Sequence, residues 1–166
     1  MKPSVYIETT IPSYLTAWTS RDLVMAARQQ ITREWWENRR HDFDLFVSEL
    51  VLEEAAAGDA EAAARRMNVI RDLPVLTVTS AASRLAKRLI RNVPLPRRAA
   101  ADAVHVAVAS IHEINYLLTW NCKHLANIVY VPRIANICRH AGYEPALICM
   151  PDELMEGESD EAGSDR

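Results

Sequence analysis

Three cysteines, Cys122, Cys138 and Cys149, are an odd number with no CxxC pair among them. Neither a disulfide framework nor a thiolate zinc site is suggested, and reduced thiols are the expectation. HExxH and HxH spacings are missing too, which argues against zinc held by histidines. There is no GxxxxGK loop followed by serine or threonine to cradle nucleotide phosphates. No apolar run approaches the roughly 20 residues that span a bilayer, and the opening residues lack the basic start, apolar stretch and small-residue cleavage site of a leader. A soluble, cytoplasmic protein with no membrane partner is therefore expected. No internal repeat is visible.

What remains is an ordinary globular composition. At 166 residues and 49% apolar content, the chain is long enough to bury one continuous core, and no linker divides it. The net charge of −3 hides an asymmetry. Residues 151–166 hold seven acids and one base, leaving 15 acids against 18 bases in the rest. We expect a folded body over residues 1–150 and an acidic tail over 151–166, disordered from Gly157 to Arg166, which lacks large apolar residues. Bases recur at Arg28, Arg33, Arg39, Arg40, Arg65, Arg66, Arg84, Lys87, Arg88, Arg91, Arg97 and Arg98. They permit a nucleic-acid partner without requiring one.

Along the chain, helix and strand signals alternate. Ser4 to Ile7 reads as a buried strand, and Thr9, Thr10 and Pro12 as a helix start. A polar helix follows from about Arg21 to Arg40, with Val24, Ile31, Trp35 and Trp36 as its expected buried stripe. Phe43 to Ser48 is a second strand; helices follow over 49–57, closed by Gly58, and over 60–71. Val75 to Val78 is a third strand, and Ser80 is placed to cap a helix running to Arg91. Residues 92–96 form an extended connector with two prolines. The alanine-rich stretch from Arg97 to His112 is helical, with Val104, Ala107, Val108 and Ile111 on its apolar side. Tyr116 to Thr119 is a fourth strand, a helical turn covers 122–126, and Pro132 starts a helix ending near Gly142. Ala146 to Cys149 is a last strand. This alternation predicts an α/β fold whose central parallel sheet is flanked by helices on both faces.

In such a sheet, ligands bind beyond the carboxyl ends of the strands, where the strand order reverses. Acids fall there. Glu8 directly follows the first strand, and Asn121 closely follows the fourth. Asp102 lies in the first turns of the helix feeding the fourth strand. The second strand leads into Ser48-Glu49-Leu50-Val51-Leu52-Glu53-Glu54, a helix start with three carboxylates. Converging carboxylates repel unless a cation neutralises them, and Mg2+ or Mn2+ suits such an oxygen-rich set. Either ion can generate a hydroxide nucleophile and stabilise charge on a phosphodiester. On spacing alone, a receiver or phosphotransfer domain would also account for an acidic pocket at strand ends.

Four segments in order resemble the PIN-domain family, which includes the VapC-type toxin ribonucleases. Val5-Tyr6-Ile7-Glu8-Thr9-Thr10 resembles its opening strand, acid and hydroxyl motif. Val47-Ser48 through Glu54 and Gly58 resembles the second, a serine with a glutamate six residues later and a glycine four beyond. Asp102-Ala103-Val104-His105-Val106-Ala107 resembles the third and Leu117-Leu118-Thr119-Trp120-Asn121 the fourth. The resemblance spans about residues 4–150 and implies a single PIN-like domain. It further implies metal-dependent endoribonuclease activity, with Glu8, Glu54, Asp102 and Asn121 as catalytic and metal-binding positions. An RNA substrate, a homodimer and a cognate antitoxin protein are implied as partners. Two positions depart from the pattern, which usually has aspartate where Glu8 stands and often where Asn121 stands. Asn121 leaves one less negative charge, and together the departures are expected to weaken metal affinity or alter its preference and keep open a catalytically degenerate PIN fold that binds RNA or protein.

Each candidate also has a plainer reading. Glu8 can cap the following helix, Glu54 can belong to a charged face shared with Glu49 and Glu53, and Asn121 can cap the turn at residues 122–124. Thr9 and Thr10 read as helix caps that could also orient a water, and Thr119 carries the same ambiguity. His105, one turn from Asp102 and flanked by Val104 and Val106, reads as a packed core residue, and His124 as an exposed turn residue. Trp35 and Trp36 read as packing. Trp120 and Lys123 are the better candidates for base or phosphate contact.

Overall fold

The computed structural model describes residues 1–94, 96 and 99–155. Expectations for Leu95, Arg97, Arg98 and the acidic tail beyond Met155 lie outside these residues.

Five strands form one parallel sheet: β1 (Ser4–Ile7), β2 (Asp44–Ser48), β3 (Val75–Leu76), β4 (Tyr116–Leu118) and β5 (Leu147–Cys149), in the order β3-β2-β1-β4-β5. Among the described residues, seven helices connect them: α1 (Thr10–Thr16), α2 (Leu23–Asn38), α3 (Glu49–Ala55), α4 (Ala60–Ile70), α5 (Ser80–Asn92), α6 (Ala100–Ile111) and α7 (Val131–His140). The α/β architecture expected from the alternating signals is present. The chain steps from β1 through β2 to β3 toward one edge and then crosses back to β4 and β5, and the uniform hand of parallel crossovers puts α1–α4 on one face and α5–α7 on the other. The packing agrees, since α1 touches α2 and α4 while α5 touches α6 and α7.

The central strands are apolar because both faces are covered. Val5, Tyr6, Ile7, Leu117 and Leu118 are fully buried and form one core with Trp35, Val47, Ile70, Leu89 and Val108. Gly58 and Gly142, each with positive φ, lie just beyond α3 and α7, where a left-handed residue ends a helix at little cost.

Several expectations need correction. Val24, expected in the buried stripe of α2, is 61% exposed; the buried positions are Gln29, Thr32 and Trp35, with Ile31 and Trp36 only half-buried. β3 stops at Leu76 because the Val78 N–H leaves the ladder to donate to the Glu49 carboxylate at 2.8 Å. Thr79, not Ser80, caps α5, its hydroxyl accepting from the Ala82 N–H. Helix α6 is buried around most of its surface, not along one stripe: Ala103, His105, Val106, Ala107, Val108, Ala109 and Ser110 are all buried. Beyond the expected body, and without bearing on the expectation for Gly157 onward, Pro151–Leu154 form a 3-10 turn that packs on α2, with Pro151 buried.

Candidate metal centre at the strand ends

The order reverses at β1 and β4, which pair directly, and the ladder continues one bond beyond both strands. The Glu8 N–H donates to Leu118 O at 3.1 Å and the Thr119 N–H to Cys149 O at 3.0 Å. Glu8 and Thr119 are thereby fixed by backbone at the crevice where such sheets bind ligands. Glu8 is 4% exposed, yet its Oε2 is well supplied with donors. It accepts from the Thr10 N–H at 3.1 Å, the Thr10 hydroxyl, and the Thr119 hydroxyl at 2.8 Å. Thr10 Oγ1 in turn accepts from the Trp120 N–H, so one hydroxyl ties α1 to the end of β4.

Ser48 starts α3 by accepting from the Val51 N–H, and the helix then turns Glu54 toward Glu8 while Glu53 faces solvent. The Thr9 hydroxyl donates to Glu54 Oε1 at 2.6 Å. Neither threonine caps α1 as expected: Thr9 makes no capping bond, and both hydroxyls serve the carboxylates.

The fully buried ring of His105 lies between these acids. Its Nε2 is 2.8 Å from Glu54 Oε1 and 3.9 Å from Glu8 Oε1. Its Nδ1 is 2.7 Å from the Tyr6 hydroxyl, itself 2.7 Å from Ser48 Oγ. By sequence, His105 reads as core packing one turn from Asp102. It is core, but its partners are Glu54 and Tyr6. Burial lowers the imidazole's proton affinity, yet the Glu54 hydrogen bond and the charges of Glu8, Glu54 and Asp102 outweigh that and raise it above its ordinary value. Burial likewise raises Glu54, but the hydrogen bond and charge of His105 and the Thr9 hydroxyl prevail and hold its carboxyl below the usual range. Burial keeps the Tyr6 phenol protonated.

Asp102 and Asn121 meet beside this group. Asn121 Nδ2 donates to Asp102 Oδ1 at 2.9 Å, and His124 Nδ1 lies 2.9 Å from Asp102 Oδ2. His124 is thus committed to Asp102 and is not a free turn residue. Asn121 also plays the turn-capping part, Oδ1 accepting from the His124 N–H, while its own N–H donates to Thr119 Oγ1. Thr119 therefore bridges the Asp102–Asn121 pair to Glu8. Burial raises the Asp102 carboxyl above the usual range, against the lowering exerted by His124, His105 and Asn121.

Trp120 differs from expectation. It is 5% exposed, its indole N–H donates to Thr32 Oγ1, and it stacks on Tyr14, so it anchors the sheet end and offers no free face to a base. Lys123 remains exposed.

Glu8, Glu54 and His105 each offer a ligand atom, all within 4.8 Å of one another. Donors bound at about 2.1 Å in octahedral geometry stand about 3 Å apart along an edge, so the 2.8 and 3.9 Å separations need only small side-chain adjustments to hold a divalent cation. Asn121 is joined to Glu8 by two hydrogen bonds through Thr119, and Asp102 by a third through Asn121. All three cysteines are free thiols distributed elsewhere in the fold, Cys149 pushed up to about 12 by burial. Among the described residues, no helix is long and apolar enough to cross a membrane.

No family model matches the sequence, and no curated protein matches it. Solved structures do. A chain of VapBC2 from Rickettsia felis, in a structure bound to a DNA fragment of its promoter, superposes with a TM-score of 0.56 at 13% identity, covering 89% of this chain and 98% of that one. VapC20 from Mycobacterium tuberculosis, described as a sarcin-ricin loop cleaving toxin, superposes with the same TM-score at 17% identity, covering 72% of this chain and 91% of its own. At these identities the likeness concerns the backbone, and with the strand order and helix layers above it establishes that this chain has the PIN-type fold of the VapC toxins.

Proposed function

We propose that this protein is a divalent-metal-dependent endoribonuclease. The observation that carries the reading is the convergence of Glu8 and Glu54 at the reversal of strand order in a VapC-type fold, with Asp102 and Asn121 tied to them through Thr119. Glu8, Glu54 and Asp102, assisted by Asn121, would hold Mg2+ or Mn2+. When bound, the ion would supply an activated water and charge stabilisation for phosphodiester hydrolysis.

The chain's own residues prepare the site for that role. Three donors on Glu8 Oε2 fix the carboxylate and leave Oε1 turned toward Glu54 and His105. Thr9 fixes Glu54 in the same way. Asn121 carries no charge, so it steadies Asp102 by donating a hydrogen bond where a second aspartate would repel it. No protein nucleophile is required.

By likeness to the VapC structures, the chain is proposed to act in the cytoplasm as the toxin of a toxin-antitoxin pair, as a homodimer restrained by a cognate antitoxin protein. A second reading, a catalytically inactive module that binds RNA or protein, is favoured by one observation: His105 and His124 already engage Glu54 and Asp102 from within.

The deciding experiment incubates the purified protein with structured and single-stranded RNAs and Mg2+ or Mn2+, beside an EDTA control and an Asp102→Asn variant. Cleavage by the wild type that is lost in both controls supports the nuclease. Metal binding by a folded wild type that leaves every RNA intact favours the inactive module.

A further inference from the structure

We infer that His105 is itself a metal ligand, making the centre a mixed nitrogen and oxygen site that prefers Mn2+ or Co2+ to Mg2+. This rests on the reading of the strand-end cluster as a metal centre and names a ligand that the four acidic and amide positions omit.

The first argument is placement. His105 Nε2 lies nearer to Glu54 Oε1 than the roughly 3 Å edge of an octahedral site and somewhat farther from Glu8 Oε1, so a cation shared by the two carboxylates lies within reach of the ring nitrogen. The ring is 1% exposed and cannot turn away to solvent, whereas lysine or arginine in its place could withdraw a charged end.

The second is what stands behind the ring. Metal-binding histidines almost always donate their other N–H to a fixed acceptor. Here that partner is Tyr6 Oη at 2.7 Å, a buried phenol backed by Ser48. With Nε2 protonated and donating to Glu54, the phenol donates to Nδ1 and Ser48 donates to the phenol. For Nε2 to take a cation the neutral ring must exchange tautomer, Nε2 releasing its hydrogen to solvent and Nδ1 taking one up and donating it to Tyr6 Oη; the phenol then donates to Ser48 Oγ. Both hydroxyls can rotate, so the chain of hydrogen bonds from Nδ1 through Tyr6 to Ser48 can reverse direction without moving a heavy atom.

The third is selectivity. Mg2+ favours oxygen ligands and gives up water reluctantly, while among first-row ions the affinity of a mixed nitrogen and oxygen site rises from Mn2+ to Co2+. A nitrogen facing two carboxylates therefore separates these ions where a ring of carboxylates alone would discriminate less.

The test uses the full chain. Proton NMR of the Co2+ complex should reveal a strongly shifted, exchangeable resonance from the Nδ1–H of a ligating histidine. That resonance should be absent from His105→Gln and displaced in Tyr6→Phe. Calorimetry should give tighter binding of Mn2+ and Co2+ than of Mg2+, and His105→Gln should weaken the first two by about tenfold or more with much less effect on Mg2+. If His105→Gln does not fold, the wild-type resonance and its displacement in Tyr6→Phe decide. Co2+ binding without a shifted exchangeable proton, or an equal loss for all three ions, overturns the inference and leaves the nuclease reading standing. Failure of the wild type to bind any of the three ions removes both.

Discussion

At the scale of single residues, the Glu54–His105 contact makes stability depend on pH in a direction that can be worked out. Without added metal, His105 holds its proton more tightly in the folded chain than in the unfolded one. Its stabilisation is complete below the unfolded value, about 6.5, and is lost as the pH rises through the folded value. Glu54 runs the other way: its carboxyl is lowered on folding, so its contribution is present above the unfolded value and lost as the pH falls through the folded one. Asp102, raised by burial, adds a loss on rising pH, beginning lower, from about 3.9. Thermal unfolding in EDTA should therefore show Tm declining as the pH rises above about 6.5, and His105→Gln should flatten that decline. An equal decline in the variant would assign it to other groups. The residues differ in how far the sequence reveals them. Glu8 is legible because an acid directly after a buried strand has one place to go, and Glu54 is separated from Glu53 by its spacing from the capping Ser48. His105 hides between two valines, and its partners are Tyr6, Glu8 and Glu54, far away in sequence; the one available signal is its position a turn from Asp102.

At the scale of elements, the order of helices and strands follows from apolar period and from punctuation by glycine, proline and hydroxyl residues. Their ends do not, because the end of an element is decided by whichever group reaches the free backbone first. β3 is the clearest case: a carboxylate 29 residues earlier takes the Val78 N–H and ends the strand two residues sooner than its β-branched sequence suggests. Helix α5 is another. Thr79 and Ser80 are both capable caps, and only the extended backbone of Thr79 lets its hydroxyl meet the Ala82 N–H. Thr79→Ala should thus destabilise the fold by about 1 kcal/mol, whereas Ser80→Ala should change it by no more than about 0.5 kcal/mol. Urea unfolding of the two variants measures the difference, and the reverse order would place the cap at Ser80. In α6 the single apolar stripe gives way for a different reason. The alanines are small enough for α5 and the sheet to close over the helix, so burial extends past the face that its larger residues mark.

For the molecule as a whole, charge is divided between helices in a way that the near-neutral total conceals. Helix α5 carries Arg84, Lys87, Arg88 and Arg91, and α7 carries Arg133 and Arg139; neither contains an acid. The two helices pack together, and Arg88 lines two adjoining clefts of about 260 Å³ each, one shared with Asn92, Arg133 and His140 and the other with Arg84 and Tyr143. Arg139 is held by Glu144, but among the described residues no ion pair engages Arg84, Lys87, Arg88, Arg91 or Arg133. Bases left without acidic partners repel one another, and a polyanion relieves that cost while giving up its own condensed counterions. On the proposed ribonuclease reading, an RNA strand at the carboxylates would use this surface for its backbone. Binding of single-stranded RNA, measured by fluorescence anisotropy in EDTA so that nothing is cleaved, should then weaken steeply with salt. Arg88→Gln and Arg133→Gln should each reduce the slope of log affinity against log salt by about 0.7 for every phosphate that the arginine neutralises. Slopes equal to the wild type would mean that the backbone follows another path from the strand ends, and the unpaired bases of α5 and α7 would then serve a different anion.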